Sequence, residues 1–140
     1  MGIIRSEYGG VWMDRMNELI SRATAARENA YCPYSGFAVG AAVLTADGRI
    51  YTGCNVENAS YGLTNCAERT AVLKAVSEGA REIVAVAVVA EGEPPPPCGA
   101  CRQVLAEFGP RAEVVLASTA GERIRTSVDA LLPGAFRFKK

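Results

Sequence analysis

The sequence predicts an α/β fold, a three-layer α/β/α sandwich around a mixed sheet of about five strands. Three observations predict it. Helix-period and strand-period apolar patterns alternate along the 140 residues. Ile83 to Ala90 is apolar almost throughout, as expected of a strand covered on both faces. Asp47-Gly48 separates two short β-rich runs and marks an antiparallel hairpin.

The elements follow in order. Residues 1–11 read as an irregular extension and 12–140 as a single domain. From Trp12 to Ala30 the apolar positions Met16, Leu19, Ile20, Ala23 and Ala30 recur at helical spacing. Cys32-Pro33-Tyr34-Ser35-Gly36 ends that helix and turns the chain. Phe37 to Thr45 and Arg49 to Val56 are the hairpin strands, and 57–65 is a loop. Cys66 to Glu78 is a second helix, with Ala67, Ala71, Val72, Ala75 and Val76 along one side and Gly79 as its stop. After the strand Ile83 to Ala90, a proline-rich link (Glu91 to Pro97) leads to a third helix, Cys98 to Phe108. Strands are expected at Glu113 to Ala117 and Arg123 to Thr126, and a short helix at Val128 to Leu132. Two β-α-β crossovers imply parallel pairing, whereas the opening hairpin is antiparallel.

Composition narrows the function. Apolar residues are 49% and charged residues 21%, an ordinary globular balance. Fifteen Lys and Arg offset fifteen Asp and Glu. A neutral chain argues against a nucleic-acid polymer or a membrane surface as partner. No apolar run reaches the roughly 18 residues that span a bilayer. Met1 to Gly10 lacks the apolar core of a secretory leader, so the expected location is cytoplasmic. Histidine is absent. That excludes a Ser-His-Asp triad, a Cys-His pair, a His-x-x-x-His zinc site and a facial iron triad. Five cysteines remain, an odd number that cannot all pair within one chain. In a reducing compartment, metal binding or buried thiols are the live readings.

Two segments concentrate the chemistry. Cys66-Ala67-Glu68 opens one helix and Pro97-Cys98-Gly99-Ala100-Cys101 opens the next. A helix N-terminus favours a thiolate. Cys98 and Cys101 stand three residues apart and share a face. With Cys66 they would supply three sulfur ligands and leave a fourth position open, the pattern of a catalytic rather than a closed structural zinc. A zinc-bound water ionises near pH 7 and needs a nearby proton carrier that is not a ligand, a part open to Glu68. Three thiolates and Zn²⁺ sum to −1. Arg69 and Arg102 adjoin the machinery and could draw charge from the sulfurs.

Simpler readings stand beside these. Cys98-x-x-Cys101 alone could be a redox pair or half of a structural zinc site. Asn65-Cys66-Ala67-Glu68 could be a capping box. Cys32 and Cys54 read as small buried apolar residues. Phe37 and Phe136 are core residues by default.

The order Cys-x-Glu followed by Pro-Cys-x-x-Cys is a zinc deaminase signature. The chain resembles the small, all-cysteine, homotetrameric cytidine deaminases. The likeness extends to Tyr31-Cys32-Pro33-Tyr34-Ser35, Phe37 to Ala42, Gly53-Cys54-Asn55-Val56-Glu57-Asn58-Ala59-Ser60-Tyr61-Gly62, Cys66 to Ala71, Cys98 to Gln103 and Leu132-Pro133-Gly134-Ala135-Phe136. It spans roughly residues 12–136.

The resemblance implies one Zn²⁺ per subunit on Cys66, Cys98 and Cys101, with Glu68 moving protons. It implies that Asn55 and Glu57 hold the ribose 3′-hydroxyl, that Phe37 lines the pyrimidine pocket and that Phe136 stacks on the base. It places Ala67 among the substrate contacts and sends Tyr61 into a neighbouring subunit's site. The implied activity is hydrolysis of cytidine and 2′-deoxycytidine to the uridines and ammonia, in pyrimidine salvage. The implied assembly is a homotetramer with shared active sites. Competing readings are a deaminase of another aminopyrimidine nucleoside (blasticidin-like), a thiol-disulfide oxidoreductase and a structural zinc protein.

Overall fold

The computed structural model describes residues 10–138. The extension expected over 1–11 therefore lies outside the described residues up to position 9. Four helices and five strands follow: α1 (Gly10–Ala26), β1 (Val39–Thr45), β2 (Ile50–Cys54), α2 (Ala67–Ser77), β3 (Ile83–Ala90), α3 (Gly99–Phe108), β4 (Glu113–Ser118), β5 (Arg123–Ser127) and α4 (Val128–Leu131).

The strands form one sheet in the order β2-β1-β3-β4-β5. Only β3 and β4 pair in parallel; the other neighbours are antiparallel. The expectation of parallel pairing at both crossovers is thus corrected at the first. There β2 and β3 do run the same way, since each is antiparallel to β1, but β1 lies between them.

Period-2 alternation sorts side chains to the two faces. Ala41 and Val43 of β1, Val86 and Val88 of β3, and Val114 and Leu116 of β4 join α2, α3 and α4 on one side. Ala42, Leu44, Ala85, Ala87, Val89, Val115 and Ala117 meet Met16, Leu19 and Ala23 of α1 on the other. Every residue of β3 is buried, which explains its unbroken apolar run. The outer strand β5 exposes Arg123 and Arg125. Charges there discourage edge-to-edge pairing with another chain.

Boundaries shift for local reasons. The predicted first helix closes through a 3-10 turn at Arg27–Asn29. β1 starts at Val39 rather than Phe37, because the Phe37 carbonyl and the Val39 amide both bond the Asn55 side chain. β2 stops at Cys54, and Val56 bridges instead to Tyr31 and Asn65. The Asp47-Gly48 turn forms with Gly48 at φ 89°, a conformation that favours glycine.

Two close approaches position the helices. A Cβ on Gly53 would lie 2.5 Å from the Ala71 nitrogen of α2. One on Gly40 would lie 1.9 Å from the Ala23 carbonyl of α1. Their bare backbones let α2 and α1 press onto opposite faces of the hairpin.

Candidate active site

Cys66 is the N-cap of α2 and Cys98 the N-cap of α3. Each has extended backbone, so each sits just before the first helical turn. Cys101 is the third helical residue of α3. The two helices pack against each other on one face of the sheet. Their N-terminal ends, both electropositive, therefore present three thiols together.

The sulfurs converge. Cys98 Sγ lies 3.8 Å from Cys66 Sγ and 3.5 Å from Cys101 Sγ, and all three fall within 4.8 Å of one another. Tetrahedral zinc with Zn–S bonds of about 2.3 Å has S–S edges of ~3.8 Å. The donor set fits a zinc ion. Among the described residues the cluster holds three members, so a fourth vertex stays available to a non-protein ligand. Cys101 is buried, Cys66 half-buried and Cys98 exposed, so the cluster meets the surface at Cys98.

The charge environment favours an anionic sulfur at Cys66. The bonded Cys101 thiol, and then Arg69, hold the Cys66 thiol down at about 5. Cys101 keeps its proton, raised by its bond to Cys66 and by burial. Arg69 Nη2 donates to Cys66 Sγ at 3.5 Å and to the Thr64 carbonyl at 3.3 Å. Its Nε is the one buried side-chain nitrogen or oxygen without a partner among the described residues. A buried donor left over beside three sulfurs suits a site that carries full thiolate charge.

Glu68 follows Cys66 by two residues and is 5% exposed. Burial raises its carboxyl to about 7. The capping-box reading does not hold: the N-cap is Cys66, which puts Glu68 at the second helical position, one residue short of the capping site. Arg102 departs from the expectation of a bond to sulfur. Its Nε donates to the Pro97 carbonyl and its Nη1 to the Leu131 carbonyl, both at 2.8 Å. The guanidinium braces the entry to α3 against α4.

The family model for the cytidine and deoxycytidylate deaminase zinc-binding region matches residues 13–118. The chain belongs to this deaminase family. It is 59% identical to a cytidine deaminase of Halalkalibacterium halodurans, covering 89% of this chain and 95% of that one. It is 56% identical to one of Sporosarcina psychrophila, covering 86% and 90%. The fold superposes on the crystal structure of a cytidine deaminase from Burkholderia pseudomallei with a TM-score of 0.83 at 56% identity, covering 86% of this chain and 98% of that one. The α/β architecture and zinc chemistry expected from the residues are those of the cytidine and deoxycytidylate deaminases.

The residues expected to face a deaminase's substrate form a second group beside the thiols. Val56 exchanges backbone bonds with Asn65, the residue before Cys66, which anchors the Asn55–Glu57 segment to the metal corner. Asn55 is 8% exposed, and its amide is largely spent on the chain. Its Nδ2 donates to the Phe37 carbonyl at 2.8 Å and its Oδ1 accepts from Val39 N–H at 2.9 Å. One amide N–H remains. Glu57 Oε1 accepts the Tyr34 and Ser35 amides at 3.0 and 3.2 Å, and Oε2 accepts the Ser35 hydroxyl. Those bonds, the Ser35 hydroxyl first, keep the Glu57 carboxyl below its ordinary range. Ala67 is buried at the first helical position of α2. The Phe37 ring is exposed.

Two further expected contacts lie at the surface. Tyr61, in a 3-10 turn at Tyr61–Leu63, is 86% exposed. Phe136 is exposed and meets Phe138 edge-on at 5.0 Å. Gln103 of α3 holds the Phe136 carbonyl at 3.1 Å, which ties the tail to the helix that carries Cys101. Cys32 and Cys54 are half-buried. Ser35 had no role assigned from the sequence. Its place in the Pro-Tyr-Ser-Gly turn is a local signal, but its carboxylate partner lies 22 residues away.

Proposed function

We propose that this protein deaminates cytidine and 2′-deoxycytidine by hydrolysis, giving the uridines and ammonia. The observation that carries this reading is the three-sulfur cluster, its members within 4.8 Å of one another, beside a buried carboxyl group. Cys66, Cys98 and Cys101 would hold a zinc ion, a Lewis acid that makes water acidic enough to lose a proton near neutral pH.

The chain's own residues supply the rest. Glu68 accepts a proton from the attacking water and delivers it to ring N3. It then takes the proton of the new C4 hydroxyl and passes it to the amine as the C4–N bond breaks, leaving the C4 carbonyl of the uridine and ammonia. A buried carboxyl at the edge of the ligand set suits both transfers. Arg69 offsets part of the negative charge that three thiolates bring. Phe37 and Ala67 line the base pocket, and Phe136 stacks on the ring. Asn55, through its remaining N–H, and Glu57, as acceptor, hold the ribose 3′-hydroxyl.

We infer further that the working unit is a homotetramer with shared sites. Supporting this are Tyr61, Leu63 and Tyr34, each more than half exposed. Tyr61 would enter a neighbour's site. A cytoplasmic location fits thiols that must stay reduced. Among the described residues no helix is long and apolar enough to cross a membrane.

The test is an ultraviolet assay of cytidine loss, run with and without a zinc chelator and on Glu68→Gln. The expected result is loss of activity on chelation and a drop of about 10²–10⁴-fold for Glu68→Gln. Glu68→Gln should retain its zinc. Full activity in that variant would reject the assignment.

A further inference from the structure

Ser35 sits at the centre of a small hydrogen-bond network. Its hydroxyl donates to Glu57 Oε2, its backbone amide donates to Glu57 Oε1, and its oxygen accepts the Phe37 amide at 3.0 Å. The Tyr34 amide adds a third donor to Glu57. On the far side, Asn55 Nδ2 holds the Phe37 carbonyl. Glu57 is pinned from behind as well, because its amide donates to the Tyr31 carbonyl at 2.8 Å.

A carboxylate offers about four lone-pair directions. Three are taken by Tyr34 N–H, Ser35 N–H and Ser35 O–H, which leaves one in a fixed direction. Ser35 also fixes the Phe37 backbone. One hydroxyl therefore bonds the free oxygen of a carboxylate and the backbone of an aromatic residue together. A site built to bond a hydroxyl rejects an analogue that lacks it, provided the acceptor is held rigidly.

We propose that Ser35 is a positioning residue that sets this enzyme's selectivity for a sugar bearing a 3′-hydroxyl, by aiming the free lone pair of Glu57. The proposal rests on the reading of Glu57 as the acceptor for that hydroxyl. Ser35 is exposed and its hydroxyl bonds only the Glu57 carboxylate and the Phe37 amide, so its removal leaves both core clusters intact.

The experiment compares cytidine with 3′-deoxycytidine on the zinc-loaded wild type, Ser35→Ala and Ser35→Thr. Wild type should prefer cytidine clearly in kcat/KM. Ser35→Ala should raise KM for cytidine about tenfold, with kcat within about twofold and KM for 3′-deoxycytidine unchanged. Ser35→Thr, which restores a hydroxyl, should recover the preference. If wild type discriminates and Ser35→Ala discriminates equally, the role of Ser35 is overturned while the Glu57 reading stands. A fall in kcat with an unmoved KM overturns it too. If wild type treats both substrates alike, the Glu57 reading fails and takes the proposal with it.

Discussion

Cys66 and Cys98 occupy positions where helices usually place Ser, Thr, Asp or Asn. Neither makes a side-chain cap bond. Both α2 and α3 thus give up a cap at the place where the sulfurs meet. Arg69 adjoins Glu68 in sequence, and its guanidinium bonds Cys66 and keeps a buried Nε in reserve. Arg69→Ala should slow turnover about 10–100-fold while zinc content stays near one per chain, measured by metal analysis beside the activity assay. Unchanged turnover would remove Arg69 from the account. Glu57 carries a pH dependence. Its carboxyl is depressed by the Ser35 hydroxyl and the two amides, so the turn it holds is intact above the ordinary carboxylate range. That stabilisation is lost as pH falls through the depressed value. The backbone amide resonance at position 35 should therefore titrate below the ordinary range in wild type. In the Ser35→Ala variant the same backbone amide should titrate closer to the ordinary value, and an unmoved midpoint would deny the hydroxyl its part. The thiols and Glu68 were legible because their spacing alone is chemically restrictive. Ser35 and the double duty of Asn55 were not, since both depend on a backbone that only folding brings near.

The helices and strands were readable where a face had to be buried. Met16, Leu19 and Ala23 mark α1, and the apolar run Ile83–Ala90 marks β3. Pairing order was less readable. Nothing local tells β3 to add beside β1 rather than β2; in the folded chain α2 packs across both hairpin strands. Gly53 makes that possible, with Ala71 N only 2.5 Å from where its Cβ would be. Gly53→Ala must push α2 off the sheet, at a cost of about 1–3 kcal/mol by overpacking. Since α2 carries Cys66 and Glu68, the same variant should also lose zinc faster to a chelator. Denaturant midpoints and a metal-release time course would check both effects. A variant as stable and as retentive as wild type would show that α2 has slack there.

At the scale of the molecule, two chain segments 32 residues apart close on one point. α2 and α3 reach it from the same face of the sheet, and their N-termini, Arg69 and the thiols act as one electrostatic unit. Binding a metal there releases thiol protons and adds its affinity to the stability of the fold. Chelation should therefore lower the thermal midpoint as well as abolish activity, and calorimetry with and without added zinc would show it. Matching midpoints would detach the ion from the fold. The most direct measurement is zinc-edge X-ray absorption on the purified protein. It should count three sulfurs at about 2.3 Å and one lighter oxygen or nitrogen neighbour at about 2.0 Å. A shell of four sulfurs, or of fewer than three, would contradict the account.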